Sequence, residues 1–75
     1  MDHHETEQDI QVQFGRNLKV ARLGAGLTQQ EVAATTGVAP TFLAEIESGA
    51  GDPDLRLAEA LSDAVGCSII DLLKP

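Results

Sequence analysis

The sequence predicts an all-α fold of five short helices, and three observations point to it. From Ile10 onward, apolar residues recur three and four positions apart, which is the period of one helix face. Glycines fall where these periodic stretches should stop, at positions 24, 26, 37, 49 and 66. Residues suited to helix starts precede the later stretches: Thr28, Asp54 and Ser68 as caps, and Pro40 for a first turn.

The first helix is expected from about Ile10 to Gly24, with Phe14, Leu18 and Ala21 on its inward face. Gly24 and Gly26 permit the left-handed backbone that ends it. Thr28-Gln29-Gln30-Glu31 then forms a capping box, because Thr at the cap and Glu three residues later satisfy each other's backbone amides. Leu27 and Val32 flank it as a hydrophobic staple, and this second helix runs to about Thr36. Gly37 supplies a turn into a third helix, which starts at Pro40 and ends at Ser48 before Gly49. After the turn Asp52-Pro53-Asp54, a fourth helix capped by Asp54 reaches Gly66, with Leu55, Ala58, Leu61 and Val65 inward. A last short helix begins at the Ser68 cap and carries Ile69, Leu72 and Leu73.

Seventy-five residues suffice for one small domain, expected at residues 10–75. Residues 1–9 read as a disordered acidic tail, since Asp2, Glu5, Glu7 and Asp9 stand there without a large apolar residue after Met1. His3 and His4 have no partner ligands, and no Cys/His cluster has the spacing of a metal site. The single cysteine, Cys67, excludes an internal disulfide and reads as a core side chain. A reducing, cytoplasmic setting fits, because neither a membrane-spanning apolar run nor a signal peptide is visible. Without a nucleophile–base pair, a metal cluster or a phosphate-binding glycine loop, the chain reads as a non-enzyme that needs no cofactor.

The stretch from Phe14 to Leu73 resembles the Cro/C1-type, phage-repressor-like helix-turn-helix family. The resemblance rests on Gly26-Leu27-Thr28-Gln29-Gln30-Glu31-Val32-Ala33, then Gly37-Val38, Ile46-Glu47, Gly49, Asp52-Pro53 and Leu55, and finally Val65-Gly66, Ser68 and Leu72-Leu73. It implies a five-helix, lambda-repressor-like domain in which Arg22, late in the first helix, pairs with Glu47, late in the third. It also implies that the start of the second helix touches DNA phosphate and the start of the third reads bases in the major groove. Gln29 would take the first role, and Thr41 and Glu45 are the polar candidates for the second.

The charge argues against that function. Twelve acidic residues against five basic ones give a net charge of −7, the wrong sign for a nucleic-acid binder. The reading positions hold Ala39, Pro40, Thr41, Ala44, Glu45 and Ser48, with none of the Arg, Lys, Gln or Asn side chains that pair in bidentate fashion with guanine or adenine. Between Leu23 and Leu55 there is no basic residue, whereas Glu31, Glu45, Glu47, Asp52 and Asp54 are acidic. A homodimer is compatible with the sequence but doubles the acidity along with the cations. In place of polar groups the outer positions show Val20, Leu23, Leu57 and Ile70, with Phe42 at the front of the third helix. An apolar patch with an acidic rim there suits a protein partner.

Two functions follow from these features. The first is an antiactivator that binds a transcriptional activator through Val20, Leu23, Phe42 and Glu45, with weak or absent DNA binding. The second is a sequence-specific repressor or regulator of Cro/C1 type that uses Gln29, Thr41 and Glu45. An antitoxin-like partner, or part of a larger regulator, lies behind these two.

Overall fold

The computed structural model describes residues 5–75, with side chains from residue 10 onward. Five helices form among these residues: α1 (Glu5–Gly24), α2 (Gln29–Thr36), α3 (Pro40–Ser48), α4 (Leu55–Ala64) and α5 (Ile69–Leu72). The all-α expectation holds, and no strand forms among the described residues. The helix α1 starts at Glu5, ahead of the Ile10 that apolar periodicity marks. Its first turn is rich in glutamate and glutamine, which are good helix formers, and negative charge is favoured at a helix N-terminus. Of the expected tail, residues 1–4, including His3 and His4, lie outside the described residues.

The later boundaries follow the local chemistry. Thr28 Oγ1 accepts from the Glu31 amide at 3.0 Å, while the Thr28 amide donates to Glu31 Oε1 at 2.8 Å, completing the capping box. Asp54 and Ser68 accept from the Leu57 and Asp71 amides, at 2.8 and 3.1 Å, and so cap α4 and α5. Gly37 (φ 80°) closes α2, turning the chain straight into α3 through a backbone conformation that a side chain would strain.

One core joins all five helices: Phe14 and Leu18 of α1, Val32 and Ala33 of α2, Leu43 and Ile46 of α3, Ala58 and Leu61 of α4 with Val65 after it, and Leu72 of α5. The spine is α1, which packs on α3 and α5, while α2 rests on α3 and α4. The closest approach lies between α1 and α3, where a Cβ on Gly15 would overlap the Ile46 carbonyl oxygen. From the other side, a Cβ on Gly51 would come within 2.8 Å of the Ile46 amide nitrogen. Two side-chain-free positions therefore crowd Ile46, itself fully buried: Gly15 sets the depth of the α1–α3 contact, and Gly51 lets the loop after α3 fold back on it.

Several positions differ from the apolar pattern. Leu55, expected inward, is 69% exposed: it shares the face of Ala58 and Ser62 but stands in the first turn of α4, at the open groove where no element covers it. Leu73 follows the end of α5 and is also exposed, whereas Ala21, Leu57, Cys67 and Ile69 are half-buried against the core. The Asn17 side chain ties the C-terminal segment to α1, donating from Nδ2 to the carbonyls of Leu72 (2.8 Å) and Lys74 (2.7 Å).

The α1–α3 contact makes a specific demand on Gly15. Gly15→Ala is expected to lower stability by about 3 kcal/mol, the upper range for overpacking a tight interior, read as a lower urea midpoint at unchanged slope. Gly24→Ala meets open space at the end of the same helix and is expected to raise stability by about 0.5 kcal/mol.

Candidate interaction surface

Under the α2–α3 unit lies a buried polar cluster. The guanidinium of Arg22 meets the Glu47 carboxylate in a two-bond fork, Nε to Oε2 at 2.7 Å and Nη2 to Oε1 at 3.0 Å. Both residues are buried. The remaining donor, Nη1, reaches the Leu27 carbonyl at 2.9 Å, and Gln29 Nε2 donates to Glu47 Oε1 at 3.0 Å. The expected pairing of Arg22 with Glu47 is present, and it gathers the end of α1, the end of α3, the turn between α1 and α2, and the start of α2. The hydrogen bonds to Glu47 raise the Arg22 pKa above its ordinary value, with burial opposing and the neighbouring negative charge adding to the rise. No buried side-chain polar atom among the described residues lacks a partner.

Gln29, the candidate phosphate contact, is half-buried and spends one amide hydrogen inward on Glu47. That tie escapes sequence reading, since glutamine at a helix start is equally at home in solvent. On α3 the positions 39, 40, 41, 44, 45 and 48 are all exposed, so the structure presents Ala39, Pro40, Thr41, Ala44, Glu45 and Ser48 as one small-residue surface. The Ser48 hydroxyl donates to the Glu45 carbonyl at 2.9 Å, which engages its proton within the helix. Glu31 of α2 and Glu45 of α3 are exposed, as are Asp52 and Asp54 in the loop that leads into α4, and Glu47 alone of the five acids between Leu23 and Leu55 turns inward.

The apolar candidates divide. Val20 (64%), Leu23 (57%) and Ile70 (68%) stand exposed. Phe42 does not stand free at the front of α3: it is half-buried against the core, because it lies one turn before Ile46 and borders the inward face. The rim of the α1 patch also differs in sign from expectation. Arg16 and Lys19, both exposed, flank Val20 and Leu23, so the border there is cationic.

Elsewhere, an open apolar groove of about 260 Å³ lies between the start of α1 and the start of α4, with Ile10, Phe14, Pro53, Leu55 and Leu73 among its walls and Asp52 at its edge. No group of three metal-ligating side chains forms among the described residues, and no helix there is long and apolar enough to cross a membrane.

Comparison with known proteins places this geometry. A family profile described as Helix-turn-helix matches residues 18–72. The chain is 33% identical over 67 residues to y4dJ of Sinorhizobium fredii, an uncharacterized HTH-type transcriptional regulator, covering 89% of this chain and 87% of that protein. Among solved structures it is similar to the restriction-modification controller protein C.AhdI of Aeromonas hydrophila (TM-score 0.76, 26% identity, 81% of this chain and 92% of that one). It is also similar to the hypothetical transcription factor NHTF from Neisseria (TM-score 0.83, 28% identity, 92% of this chain and 79% of that one).

The buried cluster sets a measurable asymmetry. Arg22→Ala strands the Glu47 carboxylate and is expected to cost about 3 kcal/mol or more, whereas the paired change Arg22→Met with Glu47→Met, which removes both charges, costs clearly less than the sum of the two single changes. Chemical denaturation of Arg22→Ala, and of Arg22→Met, Glu47→Met and their double variant, checks this.

Proposed function

Since this chain belongs to the Cro/C1-type helix-turn-helix family of transcriptional regulators, we propose that it regulates by capturing a protein partner, a transcriptional activator, instead of an operator. The observation that carries this reading is the charge of the α2–α3 unit: Glu31 on α2 and Glu45 on α3 are exposed, neither helix carries a Lys or Arg, and the next basic residue after Arg22 is Arg56, exposed in the first turn of α4. Affinity for DNA comes largely from cations that displace counterions from phosphate, and base reading needs bidentate donors at the front of the recognition helix. The helices α2 and α3 carry no cation, and α3 carries no bidentate donor. A surface of this sign instead suits a partner's own basic DNA-binding face, which it would reach quickly and cover, keeping the activator from its site.

The partner surface in this reading comprises Val20, Leu23, Phe42 and Glu45. Val20 and Leu23 supply the exposed apolar area, and Glu45 steers encounter. A second reading, a DNA-binding repressor, draws on the regular α2–Gly37–α3 geometry and on the exposure of Thr41 and Glu45 at the front of α3. In that reading Gln29 would offer phosphate its second amide hydrogen.

The two readings part in a gel shift on the DNA upstream of the chain's own gene. No specific complex is expected at about 0.15 M salt, and a tight specific complex there would favour the repressor. The positive arm uses an activator encoded beside this chain: adding the chain should release that activator from its DNA. Leu23→Ala should weaken the release by about 1 kcal/mol or more while leaving the melting temperature unchanged. Phe42→Ala should lower stability as well, because Phe42 also packs on the core.

A further inference from the structure

Residues 10–24 contain three of the chain's five basic residues and none of its twelve acidic ones. Within this stretch Arg16, Lys19, Val20 and Leu23 recur at the spacing of one helix face and all four are exposed, whereas Val12, one turn earlier, lies against Gly49 at the end of α3. Phe14, Leu18 and Arg22 point the other way, into the domain. Among the described residues, neither Arg16 nor Lys19 takes part in an ion pair, whereas Arg22 is bound to Glu47 and Lys74 bridges Asp71. From Arg16 to Leu23 the outer face of α1 is therefore an apolar ridge carrying two cations, preceded in the same helix by Glu5, Glu7 and Asp9, on a molecule whose net charge is −7.

We infer that this face docks into an apolar groove rimmed by carboxylates on the partner protein, an inference that rests on the protein-binding reading above. The spacing, anchors at 16, 19, 20 and 23, is that of a helix laid in a groove. The apolar members fix the occupant's class. Valine and leucine gain only by burial against other apolar surface, which a phosphate backbone does not offer. The acidity of the remaining chain further opposes a long polyanion or an anionic lipid surface, both of which extend beyond the stripe, whereas a groove the length of one helix meets the stripe alone. At the rim of that groove, carboxylates are the groups that Arg16 and Lys19 would attract and orient. The partner is thus held at two places of opposite sign, a basic surface facing α2–α3 and an acidic groove around α1.

The test places a photoreactive benzoylphenylalanine at residue 20, 23, 41 or 45 of the full chain in its native host and sequences the cross-linked peptides. Positions 20 and 23 are expected to capture a protein segment in which Asp or Glu flank apolar residues. The yield should fall severalfold when R16E and K19E are added, and should be retained with R16K and K19R. Circular dichroism establishes that each variant keeps its helices, as the exposure of both cations leads one to expect. Protein cross-links confined to positions 41 and 45, capture of a segment without acidic residues, capture of a second copy of this chain, or yields indifferent to R16E and K19E would each overturn the α1 docking face while leaving the protein-binding reading in place. Cross-links from these positions to DNA or lipid alone, or none at any position, would overturn both.

Discussion

The fork between Arg22 and Glu47 is the constraint on which the arrangement of the first three helices depends. It joins the last turn of α1 to the end of α3, while Arg22 also holds the Leu27 carbonyl and Glu47 holds Gln29 at the start of α2. Burying two charges is costly, and their attraction offsets that cost only when the remaining donors and acceptors are also satisfied. Here the surrounding groups do this, so the cluster acts as a positional lock. A guanidinium fits because its planar donors can serve a carboxylate and a carbonyl at once, which a lysine ammonium cannot do in the same geometry.

That lock separates scaffold from surface. Once α1, α2 and α3 are held by an interior cluster and by the close contact at Gly15, the outer residues of α3 are free to be small, uncharged or acidic without loss of fold. The same lock draws Gln29 inward, and so removes part of the polar equipment that a DNA-facing helix start would present. Arg16 and Lys19 then stand with the exposed aliphatics Val20 and Leu23 on the second half of α1, while α2 and α3 expose Glu31 and Glu45 and no cation. Fold alone leaves the activity open, so the proposed function rests on the chemistry of the surface.

Much of this was legible in the residues because helix ends are set by local chemistry. The Thr28–Glu31 box, the Pro40 start and the glycines at 37 and 49 act within a few positions, and α2 and α3 lie where these signals put them. Arg22 with Glu47 was legible only through family resemblance, since nothing local ties residues 25 apart. Exposure was harder to read. Leu55 fits an apolar helix pattern, yet no element covers its first-turn position, and Phe42 borders the inward arc, so it packs where an exposed front was expected. The long-range bonds of Asn17 to Leu72 and Lys74, and of Gln29 to Glu47, depend on how helices are placed in space. The periodicity of a single stretch carries no such information.

The sharpest check on this division between scaffold and surface is an NMR titration of the isotope-labelled chain with a duplex from its own upstream region, at about 0.05 M salt, where weak electrostatic contacts are least screened. With the charge arrangement described, the amides of Thr41, Glu45 and Ser48 should stay in place as DNA is added, while α1 and the buried cluster keep their native dispersion. Saturable shifts centred on those three residues at stoichiometric DNA would contradict it, and would return α3 to the major groove.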